Sequence, residues 1–224
     1  MKKILFIVAA LFIVNSVFSQ DVKFGVKVGA NAASLSGIET SYMSINMKMF
    51  EPDGMSIGYH GGLFANIGFG KLLGFQPEVL FSMQGGKHKA SALFGEFDDE
   101  LGNAKMSYKL GYISVPLLLE VKPVANLGIL VGPQFGYNVT RSATAEYDGE
   151  KETISGKDFD EDFMELQKFD VGVAMGLQYS ITDNLHIGAR YYLGLMYGID
   201  ESEDGATVKG FKNGVIQVSL GFSF

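Results

Sequence analysis

Residues 213–224 read NGVIQVSLGFSF, an alternation of apolar residues with small or polar ones. A period of two residues is typical of a β-strand whose two faces meet different surroundings. The apolar parity consists of Ile216, Val218, Leu220, Phe222 and Phe224. Chain termini are usually frayed and polar, so this alternation predicts a terminal strand that is paired on both sides.

The same alternation recurs along the chain. Residues 185–199, LHIGARYYLGLMYGI, place apolar residues on one parity and mostly glycine or polar residues on the other. A helix would spread these glycines over every face, at a cost of about 1 kcal/mol each. In the fourth strand the alternation changes phase near Gly111 and Tyr112, which indicates a β-bulge. Eight strands are predicted, at residues 22–34, 57–69, 73–85, 107–121, 126–140, 168–181, 185–199 and 213–224.

The connections between these strands alternate in length. Long ones at 35–56, 86–106, 141–167 and 200–212 alternate with short ones at 70–72, 122–125 and 182–184, and the long ones hold 20 of the 25 Asp and Glu residues. In an up-and-down meander, alternate connections lie at the same end. The pattern predicts an eight-stranded antiparallel transmembrane β-barrel with four long, acidic extracellular loops and short periplasmic turns.

A soluble barrel of the lipocalin type is the structural alternative, because alternation does not say which face points inward. The non-apolar parity is mostly Gly, Ala, Ser, Asn and Gln, which suit a crowded interior better than a water-facing exterior. Aromatic residues of the apolar parity also form two belts, as membrane barrels do. The belt near the short turns is Phe24, Phe69, Phe75, Tyr179, Phe222 and Phe224, and the belt near the long loops is Tyr59, Phe81, Tyr137, Phe169 and Tyr197.

Export is predicted from the first residues, MKKILFIVAALFIVNSVFSQ. Two lysines, an apolar run and small residues before residue 20 are typical of a signal peptide. The run is shorter than the ~20 apolar residues of a spanning helix, so we expect a cleaved signal peptide at 1–19 and a barrel domain at 20–224. The absence of cysteine excludes disulfides and thiolate metal sites. The net charge of −7 argues against nucleic acid as a partner.

Three further motifs carry a family resemblance: GFQPEVLFSMQGGK at 74–87, YISVPLLLEVKP at 112–123 and GPQFGYNV at 132–139. In this order they resemble the PorT-like outer-membrane β-barrel family of Bacteroidota, one branch of which serves a protein-secretion machine. The resemblance implies an outer-membrane barrel with prolines inside strands, where proline removes a ladder hydrogen bond. The last strand likewise resembles the carboxyl-terminal assembly signal of outer-membrane proteins, with Phe222 and Phe224 as its aromatic residues.

The positions of the three histidines give little indication of a catalytic or metal site. His60 and His186 are predicted near opposite ends of the barrel, too far apart to share a metal. A lipid hydrolase or acyltransferase needs a base beside a nucleophilic serine, and either His60 with Ser56 or His88 with Ser91 offers those groups. A third group that would orient the base is not evident in the sequence. No catalytic residue is therefore predicted.

The acidic run at 158–162, DFDED, has the carboxylate spacing of a calcium loop. Its sixth position is Phe163 instead of glycine and its twelfth is Phe169 instead of glutamate, so the EF-hand pattern fails. A solvated acidic loop is predicted, with weak divalent-cation binding as the alternative. Neither a resident metal nor a cofactor is predicted.

Four charged residues fall on the interior parity towards the turn end: Lys27, Glu78, Glu120 and Arg190. A barrel of eight strands leaves a lumen just wide enough for side chains to fill. We expect these residues to form an ion-pair network that plugs the lumen, with Arg190 opposed by Glu78 or Glu120. The alternative is a narrow gated pore lined by the same groups.

The expected role is structural or interactive: membrane integrity, adhesion or docking of a secretion component. A small porin is the second reading and a lipid-modifying enzyme is the third. The expected partners are outer-membrane lipid and lipopolysaccharide, the barrel-assembly machinery, and a surface or secretion-system protein.

Overall fold

The computed structural model describes residues 21–36, 38–42, 45–90, 105–147, 150–156, 167–196, 200–203, 206–209 and 211–224. The signal peptide predicted at 1–19, Ser91, Tyr197 and the DFDED run lie outside these ranges. The strands are β1 (Asp21–Leu35), β2 (Ile38–Tyr42), β3 (Ile45–Phe69), β4 (Leu73–Ala90), β5 (Lys105–Val124), β6 (Leu127–Tyr147), β7 (Glu150–Ser155), β8 (Phe169–Ser180), β9 (Leu185–Gly194), β10 (Asp200–Glu203), β11 (Ala206–Lys209) and β12 (Asn213–Ser223).

The sheet closes into a ring through the terminal strand. β1 pairs antiparallel with β3 on one side and with β12 on the other. Between them the chain runs up and down through β4, β5, β6, β8 and β9. Beyond β12, the backbone amide of Phe224 donates to the carbonyl of Phe24 at 2.8 Å. The prediction of an all-β, antiparallel, up-and-down ring is therefore confirmed, and residues 213–224 form the strand that closes it.

The outer face of the ring is apolar and the inner face is largely polar, as expected for a membrane barrel. Each strand of the ring exposes large apolar side chains, among them Val28 and Leu63 at 61% and Phe169 at 64%. Inside the ring, polar side chains such as Gln76 and Glu78 are almost completely buried. A barrel surrounded by water would show the reverse arrangement. This distribution argues against the lipocalin-type alternative.

The strands run further than the sequence analysis predicted. Residues in all four of the predicted long connections form strands: β2 and the start of β3, the end of β4, the end of β6 with β7, and β10 with β11. β10, β11 and β2 pair in that order onto β3, and β7 pairs with β6. Together with the adjoining ends of β3–β6 they form what we call the extension sheet. β2, β7, β10 and β11 are only four to six residues long, too short for an alternation to stand out in the sequence.

A β-bulge lies beside Gly111 and Tyr112, as expected, but its extra residue is on the neighbouring strand instead of the predicted one. The register between β5 and β6 shifts between Gly111 and Tyr112. Gly111 pairs with Thr140 and Tyr112 with Asn138, so the extra residue, Val139, lies on β6. Tyr108, Leu110, Tyr112 and Ser114 are all buried, which means that β5 keeps one parity throughout. The apparent change of phase arises because large apolar residues point inward above the bulge.

All five prolines lie within strands of the ring, and for Pro77, Pro116 and Pro133 the register explains how each is accommodated. Pairing with the preceding strand is interrupted beside each proline and then resumes in the same register. Each keeps its partner on the following strand: Pro77 with Leu117, Pro116 with Gln134, and Pro133 with Val173. The missing N–H therefore disturbs one ladder and leaves the other in place.

Three aromatic side chains and one isoleucine form a row on the outer surface near the extension sheet. Phe81, Ile113, Tyr137 and Phe169 are successive register partners across β4, β5, β6 and β8. The rings of Tyr137 and Phe169 meet edge to face, with centroids 5.1 Å apart, and Tyr59 packs 6.1 Å from Phe81. We call Phe81, Ile113, Tyr137 and Phe169 the upper aromatic row. With Tyr59 it holds the four described members of the predicted loop-end belt, to which the structure adds Ile113.

Candidate functional site in the barrel lumen

A buried carboxylate with two cations lies at the centre of the lumen. Glu78 on β4 accepts two hydrogen bonds from the Arg190 guanidinium, at 2.9 and 2.7 Å, so this pair is bidentate. Lys27 Nζ on β1 lies 2.6 Å from Glu78 Oε1, and the side-chain amide of Gln76 donates to the same oxygen at 2.7 Å. Glu78 is 2% exposed and Arg190 is 8% exposed. The carboxylate thus joins β1, β4 and β9 across the lumen.

The structure places Glu120 in a separate pair. Its Oε2 lies 3.2 Å from Lys122 Nζ and accepts a hydrogen bond from Asn66 at 3.1 Å. Glu120 pairs in register with Gly74, which is four residues nearer the turn than Glu78. At about 3.3 Å per residue this is a separation of roughly 13 Å along the strand. Arg190 is therefore opposed by Glu78, and Glu120 belongs to the mouth of the lumen at the turn end.

Lys122 was missed by the sequence analysis. Residues two apart on a strand share a face, so the spacing of Glu120 and Lys122 was the signal that could have found this pair. The Lys122 side chain is 29% exposed, whereas that of Glu120 is 3% exposed. The lysine therefore reaches from the edge of the lumen to neutralise a carboxylate that lies deeper.

A layer of amide and hydroxyl groups lies next to the charged cluster. Asn31 Nδ2 donates to Ser82 Oγ at 3.0 Å and to the carbonyl of Met83 at 2.8 Å. Asn31 Oδ1 lies 2.7 Å from His60 Nδ1 and accepts a hydrogen bond from Gln217 at 3.2 Å. Ser56 is four residues from His60 on the same strand, about 13 Å away. That distance rules out the proposed pairing of His60 as a base with Ser56.

Two apolar clusters fill the lumen on the side of the extension sheet. The first brings together buried side chains from six strands: Ala33, Leu118, Leu130, Ala174, Tyr192 and Val215. The second lies nearer the extension sheet and consists of Leu35, Tyr108, Leu110, Tyr112, Ala143 and Phe211. In addition, Asn213 donates to Asp170 Oδ2 at 2.6 Å and contacts the Tyr112 hydroxyl at 3.4 Å. Charged, amide and apolar groups therefore follow one another along the lumen.

The turn end of the lumen holds a polar cavity of about 410 Å³. Lys23, Glu120, Lys122, His186 and Ser223 contribute to its wall. His186 Nε2 lies 2.7 Å from Ser223 Oγ, and its Nδ1 lies 3.1 Å from Ser180 Oγ. This His–Ser pair was not predicted from the sequence, because its members are 37 residues apart. A hydroxyl occupies the position at which a carboxylate orients the base in a catalytic triad.

His88, the other candidate base, lies in the extension sheet. Its Nε2 lies 3.2 Å from the carbonyl of Ser36, and its ring meets Tyr108 edge to face at 5.6 Å. Burial lowers the pKa of His88, so the neutral ring is favoured at neutral pH. Its proposed partner Ser91 is outside the described residues.

Two kinds of feature are absent from the described ranges. No group of three or more His, Cys, Asp or Glu side chains in these ranges is arranged to hold a metal ion. The same part of the chain contains no helix that is long and apolar enough to cross a membrane.

The family is identified by a sequence model. The model of the outer membrane protein beta-barrel domain matches residues 18–198, most of the chain. The chain belongs to this family. The outer-membrane β-barrel assignment agrees with the ring and its apolar exterior, and it places the protein in the bacterial outer membrane. No match was found among curated proteins.

Solved structures similar to this outer-membrane β-barrel include three bacterial proteins. Neisserial surface protein A has 15% identity and a TM-score of 0.47, with 91% of this chain and 99% of that chain covered. A major outer membrane protein of Thermus thermophilus has 13% identity and a TM-score of 0.46 over the same shares. The attachment invasion locus protein Ail of Yersinia pestis, in complex with the heparin analogue sucrose octasulfate, has 14% identity and a TM-score of 0.42, again over those shares. The family assignment rests on the sequence model.

Phe222 and Phe224, the residues expected to signal assembly, lie on the outer face of the outer-membrane β-barrel. They are 49% and 73% exposed. We expect Phe224→Ala to reduce the yield of assembled barrel in outer membranes several-fold, measured by heat-modifiable gel mobility. Phe169→Ala is the matched control, since Phe169 is an aromatic residue at the other end of the wall with a comparable exposure of 64%. Similar losses in the two variants would contradict a specific assembly role for Phe224.

Proposed function

We propose that this protein is a closed, non-conducting barrel whose role in the outer membrane is structural or interactive. The observation that carries the proposal is the filled lumen, in which the Glu78 ion pairs are followed by two apolar clusters. A pore needs a continuous polar path, which stacked Leu and Tyr side chains interrupt. In this proposal eight strands cross the membrane, the short turns are periplasmic, and the extension sheet stands outside the cell.

The extension sheet is the part of the chain suited to a protein partner in adhesion or in docking of a secretion component. Within the outer membrane protein family we favour the PorT-like branch of Bacteroidota, on the strength of the three ordered motifs. Those motifs supply the prolines at 77, 116 and 133 and also the lumen residues Glu78 and Glu120. Lipid, lipopolysaccharide and the barrel-assembly machinery are the further partners in this proposal.

Planar-bilayer recording of the purified, heat-modifiable protein tests the closed lumen. We expect rare and small current steps at most, because the charged cluster and both apolar clusters must part before ions pass. The same preparation after heat denaturation is the control for leakage through detergent. A steady open channel in the folded protein would contradict the proposal.

A small porin is the second candidate, and the turn-end cavity is the observation that favours it. The cavity is polar, measures about 410 Å³ and carries Lys23, Glu120 and Lys122, groups suited to an ion vestibule. A lipid-modifying enzyme would use His186 with Ser223, whose side chains lie 2.7 Å apart. A steady current in the recordings would favour the porin, and hydrolysis of a lipid that is lost in Ser223→Ala would favour the enzyme.

A further inference from the structure

Three lysines surround one serine on the outer face of the extension sheet. Lys105 and Lys109 lie two residues to either side of Ser107 on β5, so all three share a face. Lys87 on β4 is the register partner of Ser107, and Thr144 on β6 is its partner on the other side. Register partners also share a face of an antiparallel sheet. The other four side chains therefore surround Ser107. We call this group the lysine face; it consists of Lys87, Lys105, Lys109, Ser107 and Thr144.

The lysine face is positively charged in a chain of net charge −7. Lys87, Lys105 and Lys109 are exposed, and within the described residues they form no ion pair. Glu146 is the register partner of Lys105 and forms an ion pair with Lys151 at 3.3 Å. Asp53, Glu146 and Lys151 line the same cavity as the three lysines, and Glu51 opposes Lys89 in the register. Lys89 is also directly opposite Lys105, an arrangement of like charges that weakens a sheet. An anionic ligand would remove this repulsion.

The lysine face is also concave. It lines a cavity of about 460 Å³, within the range of small-molecule sites. The lysines offer ammonium donors, and Ser107 and Thr144 add hydroxyls between them. Charge and hydrogen-bonding groups at this spacing suit a phosphate group, whose oxygens accept from several donors at once.

The position of the lysine face identifies the source of the phosphate. Along β5 from Ile113 of the upper aromatic row, Lys109 is four residues away and Ser107, the centre of the lysine face, is six, about 13 and 20 Å. Both sets of residues lie on the outer wall, where Phe81, Ile113 and Tyr137 meet acyl chains in the proposed orientation. Lysine stems lie along apolar surface while the ammonium group reaches the headgroups. A lipid packed against this aromatic row would therefore bring its headgroup to the lysine face.

We propose that the lysine face binds the phosphate group of an outer-leaflet glycolipid. This inference rests on the proposed function, because it requires the upper aromatic row to lie at the outer boundary of the membrane. It adds a specific lipid site to the general expectation of lipid contact. Lys87, Lys105 and Lys109 neutralise the phosphate, and Ser107 and Thr144 hydrogen-bond to it or to the adjoining sugar.

The test compares binding of phosphorylated lipid A to the purified protein in detergent, measured by native mass spectrometry. Lys105→Gln/Lys109→Gln should weaken binding at least about tenfold, as expected for the loss of charge-assisted hydrogen bonds. Lys71→Gln/Lys168→Gln, which removes two exposed lysines elsewhere, should stay within about twofold of the parent. Lys105→Arg/Lys109→Arg keeps both charges and should retain most of the binding.

The remaining arms identify the ligand and its source. Dephosphorylated lipid A should bind the parent as weakly as phosphorylated lipid A binds the glutamine variant. Inorganic phosphate should compete only at millimolar concentration, because it lacks the acyl chains. Equal weakening in the Lys71/Lys168 control would overturn the proposal. Binding of a sulfated polysaccharide as tight as that of lipid A, and lost in the same glutamine variant, would overturn the lipid as occupant.

Folding and channel closure are scored separately from lipid binding. Heat-modifiable mobility of each variant shows that the barrel is intact, and bilayer recording of the parent tests the closed lumen. A conducting parent that binds phosphorylated lipid A would contradict the proposed function and leave the lysine face supported. A non-conducting parent without phosphate-dependent binding would support the proposed function and contradict the lipid site at the lysine face.

Discussion

Glu78→Gln is expected to lower the free energy of unfolding of the barrel by about 3–5 kcal/mol, the usual cost of breaking a buried ion pair. Glu78 is the carboxylate shared by Lys27 and Arg190, at 2.6 and 2.7 Å. Its neutralisation leaves two buried cations that repel each other where water cannot solvate them. The midpoint of urea unfolding, followed by heat-modifiable mobility, measures the loss. Lys71→Met, at an exposed turn, is the control and should be almost neutral.

Arg190→Met should cost less than Glu78→Gln. Removal of the guanidinium leaves Lys27 and Glu78 as a balanced pair with the Gln76 amide still in place. Glu78 has two cationic partners, whereas Arg190 has one carboxylate partner in this cluster, so loss of Glu78 is the larger perturbation. A greater loss in Arg190→Met than in Glu78→Gln would contradict the central position of Glu78.

Removal of a cation should partly restore the Glu78→Gln variant. Lys27→Met added to Glu78→Gln leaves one buried cation instead of two, so the double loss should be smaller than the sum of the single losses. The triple variant Lys27→Met/Glu78→Gln/Arg190→Met has no buried charge in this cluster and should regain most of the stability, as in proteins whose buried ion pairs are replaced by apolar groups. Strictly additive losses would mean that the three side chains do not interact.

Tyr192→Ala is the second large effect, expected at about 3–5 kcal/mol by analogy with other buried aromatic residues. Tyr192 is 1% exposed and belongs to the apolar cluster with Leu118, Leu130 and Val215. Loss of its ring leaves a cavity at a point where six strands meet. Tyr192→Phe keeps the ring and should cost much less.

Tyr191→Ala is the matched control for Tyr192→Ala. The two tyrosines are adjacent on β9, but Tyr191 points outward and is 42% exposed. Its truncation removes surface that detergent or lipid already contacts, so unfolding under the same urea titration should change by less than about 1 kcal/mol. Equal losses at the two positions would mean that the assigned interior face of β9 is wrong. The same pair of variants should remain non-conducting, because the Glu78 cluster still closes the lumen.

The wall of the barrel was predictable because its signal is local. Each strand of the ring alternates between lipid-facing and lumen-facing residues, so Val218 and Phe222 identify the outer face without knowledge of any neighbour. The change of phase near Gly111 coincided with a bulge but was not caused by it, because β5 keeps one parity and large apolar residues point inward there. The extra residue is Val139 on β6, a strand whose sequence shows no sign of a bulge.

The extension sheet was not predictable in the same way. β2 pairs with β11, which is far away in sequence, and each of these strands is only four or five residues long. Such strands form because the strands of the ring continue past the apolar wall, where their backbone N–H and C=O groups are available for hydrogen bonds. A pattern of apolar residues does not show these backbone partners. The lysine face arises for the same reason, since Lys87 meets Ser107 only once β4 and β5 are paired.

The lumen separates what the sequence by itself determined from what the tertiary structure decided. Sequence parity placed Lys27, Glu78, Glu120 and Arg190 on the inner face, since a strand presents alternate residues to opposite sides. The stagger of the strands around the closed ring determined that Glu78 pairs with both Lys27 and Arg190, and that Glu120 pairs with Lys122. The period of two is a property of each strand alone, whereas the stagger is set by all the strand pairings together, because the ring closes only when every register agrees.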